Sequence, residues 1–274
     1  MDFKKLLTRT LSGLVYCMII VGCILCGQYG VLALGALLVT LACVEFSKIS
    51  HDLSGKTLPT LILDIAGCLT LCTGFLGYTL VVWTAIMLAR FILELYIESE
   101  HPLKNLAHSM LSQIYIGLPI GIMTCIAWIL HPMIILALFF FLWISDTGAF
   151  LVGSMIGRHK LFERISPKKT WEGFLGGLLF TLGAAALFSA CCNDFFGMNV
   201  LRAGMGVWLG LGAVVSVFGT WGDLVESMIK RSLGIKDSGN IIPGHGGILD
   251  RIDSLLLALP AVAVYLSIII YLAI

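Results

Sequence analysis

The stretch Met133–Gly153 reads MIILALFFFLWISDTGAFLVG, and its reading decides the fold. A run this long and this apolar outruns a strand and matches the roughly 20 residues with which an α-helix crosses a bilayer. Comparable runs recur on either side of it. Of the 274 residues 59% are hydrophobic and 12% charged, against roughly 25% charged in a soluble domain, and the mean hydropathy is +1.01. A soluble fold of this size has no interior that could hide so much apolar surface. The expectation is an all-α, polytopic integral membrane protein, a single transmembrane domain over residues 1–274.

Nine spans are expected, at about 11–27, 29–44, 57–74, 78–97, 110–130, 133–153, 173–190, 204–226 and 252–273, with Pro119 kinking the fifth. The first block is read as a retained span, because Leu11–Cys26 lacks a small-residue cleavage site and runs into a second apolar block. Cytoplasmic loops collect Lys and Arg. With a cytosolic N-terminus, all of the 17 Lys and Arg except Arg202 and the intraspan Arg90 fall on one side. The loops near 45–56, 98–108, 157–172 and 227–251 then face the cytosol, and the C-terminus lies on the opposite side. Residues 1–130 are read mainly as scaffold and 131–274 as the catalytic half, in the cell inner (plasma) membrane with its site toward the cytosol.

The net charge of +1 gives no support to a nucleic-acid partner. The nine cysteines lie mostly in apolar blocks, where they act as small hydrophobes. Cys23 and Cys26 form a CxxC only inside an apolar helix, so neither metal nor disulfide spacing emerges. Asp64, Arg90 and Glu94 sit inside spans and need partners; Arg90 and Glu94, four apart, read as a structural pair. Intramembrane acids also leave open a proton or cation transporter. Against it, no internal repeat is evident.

Three polar constellations stand out. At the end of the eighth span, Asp223, Ser227, Lys230 and Arg231 share one helical face; the plain reading is an amphipathic helix end with a local ion pair. An acid inside an apolar span is costly unless paired or hydrated, which favours a functional reading. Next, Pro243-Gly244-His245-Gly246-Gly247 is either a tight turn or a loop whose backbone amides approach a phosphate. It runs directly into Leu249-Asp250-Arg251-Ile252-Asp253-Ser254, where Asp250, Asp253 and Ser254 lie on one face. Third, Asp146 in the sixth span is followed by a basic loop, Arg158 to Glu172, carrying Lys168 and Lys169. Here the plain alternatives are an interhelical pair for Asp146 and a positive-inside loop for the cations. Carboxylates near cations, without a Cys or His cluster, suit a hard divalent ion such as Mg²⁺. The matching reaction class is phosphoryl or nucleotidyl transfer.

The pattern S-x-I-K-R-x4-K-D-x-G-x2-I-P-x-H-G-G-I-x-D-R-I-D, from Ser227 to Asp253, closely resembles the signature of the phosphatidate cytidylyltransferase (CDP-diacylglycerol synthase) family, without a departure in this stretch. SDTGAFLVGSMIGRHKLF followed by ISPKKTWEG resembles that family's second marked region. The resemblance covers the chain from about Ile144 onward. It implies a Mg²⁺-dependent membrane enzyme condensing CTP with phosphatidate to CDP-diacylglycerol and pyrophosphate, and with the glycine-rich spans it implies a homodimer. Carried over, Asp223 and Asp250 are the leading metal ligands, with Asp146, Asp237 and Asp253 as further candidates. Lys230, Arg231, Lys236 and Arg251 would hold phosphates, as would Lys168 and Lys169. Ser227, Asp237, Gly246, Gly247 and Ser254 are assigned to substrate binding. His245 contacts either a phosphate or the leaving pyrophosphate, and the resemblance does not choose between these. Another lipid-phosphate or polyprenyl-phosphate nucleotidyltransferase remains the nearest alternative.

Overall fold

A computed structural model of the protein describes residues 3–49, 57–201, 204–239, 241 and 246–273. The described residues form ten α-helices: α1 (Phe3–Leu25), α2 (Gly27–Ile49), α3 (Leu58–Leu71), α4 (Thr79–Glu94), α5 (Pro102–Ser112), α6 (Leu118–Ile129), α7 (Pro132–Ile156), α8 (Trp171–Cys191), α9 (Met205–Ser232) and α10 (Leu249–Ala273). Among the described residues six stretches are long and apolar enough to cross a bilayer: Gly27–Ile49, Pro102–Ile129, Pro132–Ile156, Trp171–Cys191, Met205–Ser232 and Leu249–Leu272. Thr10–Leu25 and Leu58–Leu71 are apolar but shorter. This is the make-up of a multi-pass, all-α membrane protein.

Three segments differ from expectation. Residues 98–108 read as a polar loop, yet α5 already begins at Pro102. Proline suits a first helical turn, where its missing N–H has no partner to lose, and the helix keeps its polar Asn105 and Ser109 buried. The kink expected at Pro119 takes the form of a π-turn, Gln113–Gly117, joining α5 to α6; widening the ladder there accommodates the proline ring against the preceding turn. The basic loop after α7 is not irregular either. Lys160–Phe162 (β1) pairs antiparallel with Ser166–Thr170 (β2).

Contacts divide the chain into two compact units, Met1–Ile129 with Asp237–Arg251, and Leu130–Lys236 with Ile252–Ile274. In the first, helices approach closely through glycine. Gly121 lies against the Leu71 carbonyl and Gly117 against Cys68 Sγ, and Thr124 Oγ1 donates to the Cys72 carbonyl at 2.6 Å. The intramembrane charges form a sealed network here. Arg90 donates to Glu94 Oε2 at 2.7 Å and to Ser109 Oγ at 2.9 Å, with Asp64 Oδ1 3.9 Å from its Nε. Asn105 Nδ2 donates to the other Glu94 oxygen at 2.7 Å. The Arg90–Glu94 pair therefore exists, inside a larger set that ties α4 to α5.

In the second unit α7 and α8 pack along a line of small residues. Gly176 receives Val152, Gly177 faces the Ser145 carbonyl and Gly148 receives Phe180, the close approach that lets helices associate where lipid supplies no hydrophobic drive. Ser145 and Ser216 share a hydrogen bond of 2.8 Å linking α7 to α9. Gly222 brings α9 against the α10 backbone: a methyl group there would lie 2.6 Å from the Asp253 carbonyl oxygen. Phe141, Phe188, Phe196 and Trp208 cluster at the end of this unit where α8 stops and α9 starts.

Candidate active site

The last turns of α9 carry the first cluster. Asp223 and Ser227 are one turn apart, and Ser227 Oγ donates to Asp223 Oδ1 at 3.2 Å. The other oxygen, Oδ2, pairs with Lys169 Nζ at 2.5 Å. Lys169 comes from β2, so the hairpin delivers a cation to an acid 54 residues away in sequence. Two features hold the hairpin to α8: Thr170 caps the helix by accepting from Gly173 N at 3.1 Å, and Glu172 accepts the amides of Arg158 and His159 and pairs with the His159 ring. One turn beyond Asp223, buried Glu226 pairs with Lys230 Nζ at 2.9 Å. Half-buried Asp253 of α10 lies in the electrostatic field of Asp223 and Glu226. Three carboxylates thus meet two ammonium groups, all in the second unit.

α9 ends in a Schellman motif. Gly234 has φ +68°, and its N–H and that of Ile235 bond back to Arg231 and Lys230 carbonyls at 3.1 and 3.0 Å. Arg231 is thereby left exposed at the helix end, its guanidinium reaching the Ile235 carbonyl at 3.4 Å. Lys168, Lys236 and Asp237 are exposed too. Asp146 lies on an exposed face of α7. Ser254 is half-buried beside Gly222.

A second carboxylate cluster lies in the first unit. Asp250 Oδ2 accepts from Ser238 N at 3.0 Å, Ser238 Oγ at 3.0 Å and Gly247 N at 2.9 Å. Gly246, at φ +84°, turns the backbone so that this amide points at the acid. Ser238 Oγ is also 2.7 Å from Glu45 Oε1, and Glu45 Oε2 accepts from Ile248 N at 2.6 Å and Leu249 N at 3.1 Å. Glu45 escaped sequence reasoning. It reads as the first residue of a polar loop, whereas it is buried in the last turns of α2, which runs on to Ile49, and no sequence signal marks it. Gly247, expected to bare its amide to a phosphate, here gives that amide to Asp250 and its missing side chain to Glu45. His245 lies outside the described residues. Arg251 is exposed.

Among the described residues no group of three or more His, Cys, Asp or Glu side chains forms a site that could hold a metal ion. Mg²⁺ needs less, since it is bound through one or two carboxylates with waters and substrate phosphates. Asp223 and Asp253 offer such oxygens, and the surplus of carboxylate over ammonium charge suits a cation.

Comparison with known sequences places the chain. The profile of a family described as the cytidylyltransferase family matches residues 7–269. The chain is 48% identical over 134 residues to a phosphatidate cytidylyltransferase of Staphylococcus aureus strain COL, a match covering 48% of this chain and 48% of the relative. Proteins of the same name from Staphylococcus epidermidis and Staphylococcus haemolyticus are 46% identical over the same length. The match thus spans about half the length of these curated relatives.

Proposed function

We propose, from the premise that this chain belongs to the cytidylyltransferase family, that it condenses CTP with phosphatidate to CDP-diacylglycerol and pyrophosphate, as the names of its relatives suggest. The observation that carries the reading is the Lys169–Asp223 pair, a half-exposed ion pair at the end of an apolar helix with Glu226 and Lys230 beside it. The two ammonium groups can pass to phosphate oxygens while the carboxylates take a cation.

In the reaction an oxygen of the phosphatidate phosphate forms a bond to the α-phosphorus of CTP as the bond to the β-phosphate oxygen breaks, and pyrophosphate leaves with the electron pair. The nucleophilic oxygen is already ionised near neutral pH, so the side chains supply alignment and charge neutralisation. Lys169 and Lys230, held by Asp223 and Glu226, exchange carboxylate for phosphate oxygens as substrate arrives. Arg231, Lys236, Arg251 and Lys168 add positive charge, Ser227, Asp237, Gly246, Gly247 and Ser254 line the substrates, and His245 meets a phosphate or the leaving pyrophosphate. The residues fit Mg²⁺, with Asp223 and Asp253 as its holders and Asp146 and Asp250 as further ligands. When bound, the ion supplies Lewis-acid neutralisation of phosphate oxygens.

The proposal includes the finer topology: nine spans, a cytosolic N-terminus, an outward C-terminus, the inner (plasma) membrane with the site toward the cytosol, and a homodimer. The α4 helix, with Arg90 and Glu94, and the shorter apolar stretches Thr10–Leu25 and Leu58–Leu71 would supply the three spans beyond the six long ones.

The test is to incubate purified protein in detergent micelles with labelled CTP, Mg²⁺ and, side by side, phosphatidate, a polyprenyl phosphate and other lipid phosphates. Pyrophosphate release and labelled CDP-lipid with phosphatidate alone are expected. Product with a different acceptor, or none at all, overturns the reading.

A further inference from the structure

Glu45 is 2% exposed, at the end of a helix whose terminal carbonyls repel its charge. A buried carboxylate is tolerated only where donors replace water. Among the described residues its donors come from 238–249, about two hundred positions away: Ser238 Oγ, Ile248 N and Leu249 N. The two amides open α10, so the acid sits on the positive end of that helix and satisfies N–H groups that have no partner within it. Gly239 and Gly247 make the room, because a side chain on either would overlap Glu45 Oε1.

The consequence reaches the residues assigned to chemistry. Ser238 shares its one hydroxyl proton between Glu45 Oε1 at 2.7 Å and Asp250 Oδ2 at 3.0 Å and gives its amide to Asp250, and Gly247 completes the set. One acid on α2 therefore pins both ends of the 238–250 segment, and with it the first turn of α10, where Asp250 and Arg251 stand. We propose that Glu45 is a positioning residue of the cytidylyl-transfer site, acting through Ser238 and the amides of Ile248 and Leu249; this rests on the function proposed above. The N-terminal helices then supply more than a scaffold.

The experiment compares Glu45→Ala and Glu45→Gln with the full-length wild type in detergent, by kinetics and by amide hydrogen exchange of peptides covering 246–256. Misplacing a site by about 1 Å costs on the order of 10²-fold. Glu45→Ala is expected to lower kcat about a hundredfold with KM for CTP and phosphatidate within about threefold. Glu45→Gln keeps the volume and one acceptor oxygen, so it should lose only about tenfold. Exchange in 246–256 should quicken at least about tenfold in Glu45→Ala as those amides lose their acceptor. A kcat within about threefold of wild type for Glu45→Ala, or a Glu45→Gln as impaired as Glu45→Ala, overturns the proposal. If Glu45→Ala does not fold, Glu45→Gln is read alone: a partial kcat loss at unchanged KM supports the role, and wild-type kcat or a loss confined to KM overturns it. If the wild type itself turns over no phosphatidate, the function fails separately and exchange alone decides whether Glu45 holds the segment.

Discussion

Two ion-paired clusters lie within the apolar helices, and they are built differently. Around Arg90 everything is sealed: the guanidinium is 0% exposed, and Glu94, Ser109, Asn105 and Asp64 surround it. Around Asp223 the pair is open, with side-chain exposures of 26% for Lys169 and 32% for Asp223. A sealed pair has exchanged water for fixed partners, and the atoms it leaves without a hydrogen bond among the described residues, Arg90 Nη2 and Asn105 Oδ1, are buried away from solvent. An open pair of ammonium and carboxylate keeps one side for solvent, and so for a phosphate. Exposure of the paired groups, more than the presence of charge in a span, distinguishes the two clusters.

The largest effect should come from breaking the sealed cluster. Arg90→Met leaves Glu94 buried without its cation, a change that costs about 3–5 kcal/mol. Apparent thermal unfolding in detergent should fall steeply, while the protein that remains folded turns over normally. A folded, stable Arg90→Met of low activity would reverse the comparison and make Arg90 a site residue. The open cluster should respond in the opposite way. Asp223→Asn keeps the shape but turns an amide toward Lys169, and loss of one electrostatic element of this kind costs on the order of 10²–10³-fold in kcat. Unfolding should hardly move. Near-normal turnover in Asp223→Asn would sink the assignment of this cluster to chemistry.

The comparison also marks what the residues disclosed without coordinates. Helix existence was legible because each apolar run is long; Asp223 with Ser227, and Arg90 with Glu94, were legible because i, i+4 spacing fixes a shared face. Contacts that depend on tertiary folding left no such trace. Lys168 and Lys169 looked alike in the loop, yet Lys169 pairs with Asp223 while Lys168 is exposed. The hairpin itself was hidden because SPKKT lacks the alternation of a half-buried strand. Pro102 was a start signal outweighed by the polarity of residues that follow it. Glu45 was least visible of all, since a buried acid and a solvated one look the same in sequence.

Lys169→Ala tests the pair with Asp223 directly. Losing one charge-assisted contact should lower kcat/KM about tenfold to a hundredfold, whereas Lys168→Ala, exposed on the neighbouring position, should lose less. Equal losses would mean the two lysines serve as a diffuse positive surface, and the specific pair with Asp223 would carry no special weight.

Ser227→Ala should give the smallest change, and it sharpens the comparison most finely. The Ser227 hydroxyl reaches Asp223 Oδ1 at 3.2 Å, a longer contact than the Lys169 pair on the other oxygen. Removing a single hydrogen bond of this kind costs about 1 kcal/mol, roughly fivefold in kcat/KM. In the sealed cluster the equivalent change, Ser109→Ala, strips a partner from a guanidinium that water cannot reach, so it should lower stability rather than rate. Because Asp223 is open, water replaces the lost hydroxyl in Ser227→Ala and stability stays unchanged. A rate loss approaching that of Asp223→Asn would mean that Ser227 contacts a substrate itself, and an unfolding shift like that of Ser109→Ala would mean the Asp223 cluster is closed to solvent.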